Sequence, residues 1–147
     1  MKSVLLSLLL LSFIFVFTTS ENYVQENRLI GTWKLASGTN NGVSVPMVIS
    51  DRIQTFGQNQ IFESKINTSN GLKHANGGLY YVLNDSTLIT FHKEMNGKLS
   101  KIGNTYFFHI KNETLHLYGC YLAESKDNPS VLQKVYIDEK WIRTASK

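Results

Sequence analysis

Short segments rich in β-branched and aromatic residues recur from residue 30 onwards, and clusters of Asn, Gly, Asp and Ser separate them. The first residue types favour strands, and the separating types favour tight turns. No helix-length stretch carries the apolar period of an amphipathic helix, which argues against a parallel α/β fold. The pattern predicts eight strands, at about Ile30–Ser37, Val48–Phe56, Gln60–Ile66, Leu79–Leu83, Thr87–Lys93, Lys101–Ile110, Thr114–Leu122 and Val131–Ile142.

The links between these strands are mostly of hairpin length, so neighbouring strands are expected to pair antiparallel. The longer links are Gly38–Pro46, Asn67–Gly78 and Ala123–Ser130. A chain of 147 residues supports one ordinary domain, and eight short antiparallel strands form an up-and-down barrel or a sandwich. Eight is also the strand count at which a barrel just encloses side chains or one small ligand.

The N-terminus has the layout of a secretory signal peptide. Lys2 supplies a positive charge, and the run Val4–Phe17 is apolar apart from two serines. Thr18 and Ser20 then occupy the positions where a signal peptidase requires small residues. We therefore expect cleavage after Ser20.

Cleavage would divide the chain into a signal peptide, residues 1–20, and a single domain, residues 21–147. The protein would be exported, either periplasmic or secreted, with no stable membrane anchor after cleavage. An uncleaved anchor is the alternative reading of the same segment. It is disfavoured because the apolar run is shorter than the roughly 20 residues that a membrane-spanning helix needs, and because no basic cluster follows it.

Charge and cysteine content exclude several classes of function. The formal net charge is +4, but the 15 basic residues are scattered and form no stripe, so we expect no binding to nucleic acid. A single cysteine excludes an internal disulfide framework and a cysteine-based zinc site. Cys120 lies in mid-strand among apolar neighbours, where a small buried side chain is the ordinary role.

Two short motifs at opposite ends of the domain resemble the lipocalin, or calycin, pattern. Gly31-Thr32-Trp33 opens the first predicted strand, and Trp141-Ile142-Arg143 closes the last. In lipocalins a Gly-x-Trp on the first strand and an Arg near the end of the chain pack together and close one end of the barrel. The resemblance assigns this structural role to Gly31, Trp33, Trp141 and Arg143. A guanidinium stacks well on an indole face and keeps its N–H groups free for backbone carbonyls.

The domain is similar to a family of small exported lipocalin-like domains of unknown function, of the type found in Bacteroidetes. The likeness covers roughly residues 28–143. It implies a barrel of eight to ten strands with a hydrophobic ligand, and it carries over no catalytic residue and no cofactor. The stretches that carry it are Leu29–Leu35, Thr55–Gly57, His74–Tyr80 and Glu139–Arg143.

Aromatic residues and histidines of the middle strands are the candidate lining of a ligand cavity. Strand alternation selects them, and a shift of one residue in register would turn every one of them to the other face. We expect a non-enzymatic protein that binds a small hydrophobic or amphipathic ligand in a cavity of a few hundred Å³, mostly apolar with a few polar groups. The expected ligand-binding residues are Tyr81, Phe91, His92, Phe107, His109 and Tyr118.

Two other functions stay open at this point. A protein-interaction or envelope-structural module would have a filled barrel and an exposed apolar patch. An enzyme would need titratable groups that converge, and His92, His109 and His116 are the visible candidates. His109 and His116 are expected near diagonal positions on adjacent strands, where a pair of imidazoles can bind a metal. No metal-ligand spacing is present, so we predict no metal, no cofactor and no catalytic residue.

Overall fold

The structure, a computed structural model, describes residues 28–44, 51–94, 96–125, 128 and 131–144. The signal-peptide prediction and the first part of the predicted strand Val48–Phe56 lie outside these residues. The described strands are β1 (Gly31–Asn40), β2 (Val43–Ser44), β3 (Arg52–Phe56), β4 (Ile61–Thr68), β5 (Gly71–Asn84), β6 (Thr87–His92), β7 (Asn104–Lys111), β8 (Thr114–Glu124) and β9 (Leu132–Arg143).

Eight of these strands form a closed antiparallel barrel. Strands β3 to β8 each pair with the next strand along the chain, β1 pairs with β3, and β9 returns to pair with β1. The two-residue strand β2 only extends one end of β1 through the Asn41-Gly42 turn. The predicted all-β, up-and-down barrel is therefore confirmed, and the sandwich alternative is excluded. In the described part of the chain, no helix is long and apolar enough to span a membrane.

One half of the barrel interior is a packed core. Strand alternation places every second side chain inside, as in β7, where Tyr106, Phe108 and Ile110 are buried and the residues between them are exposed. The Leu29 side chain, just before β1, is fully buried and covers this end. The other large side chains buried in this half are Trp33, Leu35, Phe56, Tyr80, Leu88, Leu115 and Trp141.

Some predicted links contain strand residues: β1 and β2 enter Gly38–Pro46, and the larger departure is the next long link. Residues Asn67–Gly78 were expected to form a loop, but β5 begins at Gly71 and pairs with β4 as far as Thr68↔Gly71. The first six residues of β5 are all exposed, so they carry no apolar–polar alternation that could identify a strand. The long β5 extends the wall of the barrel beyond the packed core and helps to enclose a cavity.

Candidate functional site

The second half of the barrel interior is a cavity of about 550 Å³. It opens between the end of β1, the β6–β7 link, the end of β8 and the start of β9, where Ile102 and Leu132 are exposed at its mouth. Volumes in this range hold drug-sized ligands. The walls are formed by Asn40, Arg52, Gln54, Phe62, Ser64, Asn76, Thr90, His92, Asn104, Tyr106, Leu117, Tyr121, Ile137 and Glu139, and the mouth by Lys93, Glu94, Ser100, Ile102, Leu122, Glu124 and Leu132.

The opposite end of the barrel is closed by a stacked pair of side chains. The Arg143 guanidinium lies 4.1 Å from the ring centroid of Trp33, and its Nη1 donates to the Ile30 carbonyl at 2.7 Å. The Trp33 indole N–H donates to the Leu29 carbonyl at 2.8 Å. Gly31 gives this arrangement room, because a Cβ at that position would lie 2.5 Å from Arg143 Nη1.

Trp141 belongs to a different arrangement from the one its motif suggested. Its indole ring is buried beside Leu35, and its face carries the guanidinium of Arg52, with Cζ 5.1 Å from the ring centroid, rather than that of Arg143. The Trp141 N–H donates to Glu139 Oε2 at 3.2 Å. Trp141 therefore lies between the packed core and the cavity, where it contacts both Arg52 and Glu139.

A salt bridge between Arg52 and Glu139 crosses the cavity side of the core. Arg52 Nη2 donates to Glu139 Oε1, and the Glu139 side chain is only 3% exposed. Burial raises the pKa of Glu139, whereas the Arg52 guanidinium opposes that rise. The effect of burial is the larger one, so the pKa is raised. The ionised form of this carboxyl group therefore carries a cost that its partner offsets only in part.

The Arg52 guanidinium has one N–H group without a partner. Arg52 Nε is fully shielded from solvent, and none of the described residues accepts a hydrogen bond from it. Buried polar groups are almost always hydrogen-bonded, and an unsatisfied donor costs roughly 1–3 kcal/mol. The charged pair therefore contains one buried donor that stays unsatisfied.

A second polar group of the wall runs from β6 to β7. The Thr90 hydroxyl lies 3.3 Å from His92 Nε2, and a hydrogen bond links Thr90 to the Tyr106 hydroxyl. Burial lowers the pKa of His92, so its imidazole is neutral at pH 7. Burial also raises the pKa of Tyr106, so its phenol stays protonated. This part of the wall offers hydroxyl and imidazole groups without a net charge.

Of the six side chains expected to line the cavity, only His92 does so. Tyr81, Phe107 and Tyr118 lie exposed on the outer face, and Phe107 stacks on Tyr118 with ring centroids 5.5 Å apart. The prediction is wrong for these three because the inward positions are their direct neighbours, as the buried Tyr106 and Phe108 show for β7.

The same reversal applies to the other two expected lining residues. Phe91 lies between the inward Thr90 and His92, so its ring turns outward. It packs against the ring of Tyr81, with the ring centroids 6.1 Å apart. His109 is exposed and lies directly opposite His116 instead of on a diagonal. Both expectations about orientation are therefore wrong. Successive side chains of a strand point to opposite faces, so an error of one residue places a side chain on the wrong face.

The three candidate histidines do not converge. His92 points into the cavity, whereas His109 and His116 lie on the outer face, where His116 Nε2 is 2.8 Å from Asp138 Oδ1. Among the described residues, no group of three or more His, Cys, Asp or Glu side chains could hold a metal ion. The cavity itself contains one carboxyl group in its buried part, Glu139, and that group is already paired with Arg52.

The polar cavity residues are the part of the site that the sequence analysis missed. Arg52 and Gln54 lie two residues apart on β3, so they share the inward face with the core residue Phe56. Glu139 shares the inward face of β9 with Ile137 and Trp141 in the same way. The sequence signal for these residues is a charged side chain an even number of positions away from a core residue on the same strand. Aromatic residues on the opposite faces make this signal hard to recognise.

Comparison with known proteins adds no family to this description. No protein-family model matches the chain, and no curated protein matches it either. The geometry of the barrel is that of a calycin-like fold, with eight sequential antiparallel strands and one closed end.

Proposed function

We propose that the protein is a non-enzymatic, exported binding protein that holds one small amphipathic molecule in the open half of its barrel. The observation that carries this proposal is the cavity of about 550 Å³ beside a fully packed core. A barrel that served only as a scaffold would gain stability by filling this space, because cavities cost packing energy. We also propose membership of the small lipocalin-like family of Bacteroidetes type, on the motifs around Trp33 and Arg143.

The composition of the cavity favours an amphipathic ligand over a purely apolar one. The sequence predicted a mostly apolar lining, but amide, hydroxyl, imidazole and charged side chains outnumber the apolar ones. Burying polar groups against hydrocarbon without hydrogen bonds is unfavourable. A ligand that both fills the space and supplies hydrogen-bond partners therefore fits better than a simple fatty chain.

Fluorescence titration tests this proposal. A neutral dye such as N-phenyl-1-naphthylamine brightens when an apolar site encloses it, and we expect saturable binding at one site per chain. Asn76 lines the cavity and is not part of the packed core, so Asn76→Trp adds a large ring to the cavity without disturbing the core. This variant should weaken dye binding at least about tenfold. Tyr81→Trp puts the same ring on the outer face of the same strand and should leave binding unchanged. Equal binding by both variants would contradict the proposal.

One observation favours a second function, a protein-interaction module. Phe107, Tyr118 and Tyr136 are 45%, 41% and 57% exposed on neighbouring strands, and contiguous exposed aromatic surface marks interaction sites. This function predicts that the double variant Phe107→Ser/Tyr118→Ser abolishes capture of a partner from the source organism without affecting dye binding. This function was expected to come with a filled barrel, and the observed cavity contradicts that expectation.

A further inference from the structure

Most polar side chains of the cavity lie on one wall, and most apolar and aromatic ones lie on the wall that faces it. The consecutive strands β3 to β6 contribute one wall, whose side chains are polar except for Phe62. The consecutive strands β7 to β9 contribute the facing wall, whose deeper side chains are apolar or aromatic except for Asn104 and Glu139. The polar wall consists of Arg52, Gln54, Ser64, Asn76, Thr90 and His92, and the apolar wall of Tyr106, Leu117, Tyr121 and Ile137.

This division runs across the barrel and not along its axis. A linear amphiphile, such as a fatty acid, has a polar head and an apolar tail, and it suits a cavity that is apolar in depth and polar at the mouth. Here the mouth itself carries apolar side chains, Leu122 and Leu132, next to charged ones, Lys93 and Glu124. A linear chain in this cavity would leave the polar wall without hydrogen-bond partners along its length, which is costly.

The charges of the polar wall are already balanced. Arg52 is paired with Glu139, and the neighbouring wall groups are amides, hydroxyls and a neutral imidazole. An anionic group placed against this wall would approach the Glu139 carboxylate in a region of low dielectric. The amide, hydroxyl and imidazole groups of this wall can bond to an uncharged hydroxyl or carbonyl oxygen, which completes the wall without adding charge.

We propose that the ligand is a rigid facial amphiphile, with a flat apolar body and uncharged hydroxyl or carbonyl groups along one of its sides. The apolar side lies against Leu117, Tyr121 and Ile137, and the polar side faces Gln54, Ser64 and Thr90. Hydroxylated polycyclic molecules of steroid type have this form. This inference rests on the proposed function, because it names the ligand class of that same cavity.

A series of steroid acids that differ only in hydroxyl number provides the test. Cholanate, lithocholate, deoxycholate and cholate carry zero, one, two and three hydroxyls on one side of the same skeleton. Each is titrated, at low micromolar concentration and in the absence of micelles, against the protein loaded with the neutral dye. Dodecanoate, a linear acid, serves as the comparison. The full-length sequence is expressed in an exporting host so that the protein is obtained in its natural form.

We expect affinity to rise with hydroxyl number, so that cholate binds at least about tenfold more tightly than cholanate and than dodecanoate. Hydrophobicity alone gives the opposite order, since each hydroxyl makes the molecule more soluble in water. If the dye binds and the steroid acids displace it, but their affinities are equal or fall with hydroxyl number, this inference is overturned and the proposed function stays intact. Failure of the dye and of every probe to bind overturns both.

Two variants locate the effect on the polar wall. Gln54→Leu removes an amide from the cavity and should reduce the advantage of cholate over cholanate at least about threefold. Arg52→Lys keeps a cation for Glu139 but removes the planar guanidinium from the cavity wall, and it should reduce the same ratio. Thr55→Val, on the adjacent outward position, is the matched control and should leave the ratio unchanged. An unchanged ratio in both cavity variants would overturn the inference.

Discussion

The guanidinium of Arg143 lies over the indole ring of Trp33, with its Cζ 4.1 Å from the ring centroid. The two residues are 110 positions apart in sequence, and they meet because β9 closes the barrel against β1 in the register Trp33↔Arg143. The same guanidinium donates to the backbone carbonyl of Ile30 and forms a salt bridge with Glu113. One side chain thus connects the first strand, the last strand and the β7–β8 turn at the closed end of the barrel.

Replacing Arg143 with Lys should destabilise the protein although it keeps the positive charge. An ammonium group cannot lie flat on the Trp33 ring and bond to Ile30 at the same time, because its donors do not form a planar fork. We expect the free energy of unfolding to fall by about 2 kcal/mol. Urea unfolding followed by tryptophan fluorescence measures the loss. Lys140→Gln, at an exposed position of the same strand, should change it by less than about 0.5 kcal/mol, and an equal effect of both substitutions would contradict this role.

Gly31→Ala should destabilise the same end of the barrel. Gly31 has a φ of +136°, and the added methyl group would lie 2.5 Å from Arg143 Nη1, so the substitution combines backbone strain with displacement of the guanidinium. We expect a loss of about 3 kcal/mol in the free energy of unfolding. Gly42→Ala is the matched control, because Gly42 also has a positive φ, +78°, but a methyl group added there would have no atom within 4 Å. Equal losses for the two variants would show that close approach to Arg143 contributes nothing.

Buried His92 should make the stability fall in mildly acidic solution. Its folded-state pKa is lowered by burial, so below the ordinary histidine pKa of about 6.5 the unfolded chain binds the proton more readily. The stability that His92 contributes is therefore complete above pH 6.5 and is lost as the pH falls from there towards its folded-state pKa. His92→Asn should flatten the melting temperature between pH 7.5 and about 5 relative to the wild type.

The control for this pH dependence is His109→Asn. His109 is exposed on the outer face, so its substitution should leave the wild-type curve unchanged. If both variants followed the wild-type curve, the His92 imidazole would not be the group responsible.

Removing Arg52 should make the stability depend on the ionisation of Glu139. Arg52→Met leaves the carboxyl group of Glu139 buried without its cation, and breaking a buried pair costs about 3–5 kcal/mol. The pKa of Glu139 is already raised by burial, so the variant is most stable when this group is protonated and loses stability as the pH rises through the folded-state pKa. We expect the deficit of Arg52→Met in urea unfolding to be smaller at pH 5 than at pH 7.5. A deficit that is constant over this range would contradict the assignment.

The double variant Arg52→Met/Glu139→Leu completes this cycle. It removes both charges together, and buried pairs replaced by apolar side chains often cost little or nothing. We therefore expect it to be more stable at pH 7.5 than Arg52→Met alone. Additive losses from the two substitutions would show that these side chains do not interact.

The fold could be predicted from the sequence because each barrel strand except one carries its own local signal. Segments such as Asn104–Lys111 alternate between buried and exposed positions, and turns such as Asn84–Thr87 contain residues that favour tight backbone bends. The first half of β5 could not be predicted, since residues such as Lys73 and His74 are exposed on a strand that pairing with β4 holds in place. Pairing of this kind is a tertiary effect that local patterning does not record.

The site was predicted less well than the fold because it depends on which face of each strand points inward. In β7, Phe107 and His109 have as much aromatic character as Tyr106 and Phe108, so composition cannot choose between the two faces. The inward face of β3 is recognisable only after Phe56 is known to be a core residue, which then identifies Arg52 and Gln54 as lining. Closure of the barrel supplies this information.

The most direct test of the proposed binding function is native mass spectrometry of the protein purified without detergent from an exporting host. We predict that the wild type carries a reproducible extra mass that organic extraction releases, and that Asn76→Trp, with a ring in the cavity, carries little or none of it. Tyr81→Trp should retain the adduct. A wild-type protein that is folded and always bare, or an adduct that Asn76→Trp retains in full, would contradict the conclusion that the open half of the barrel binds a small molecule.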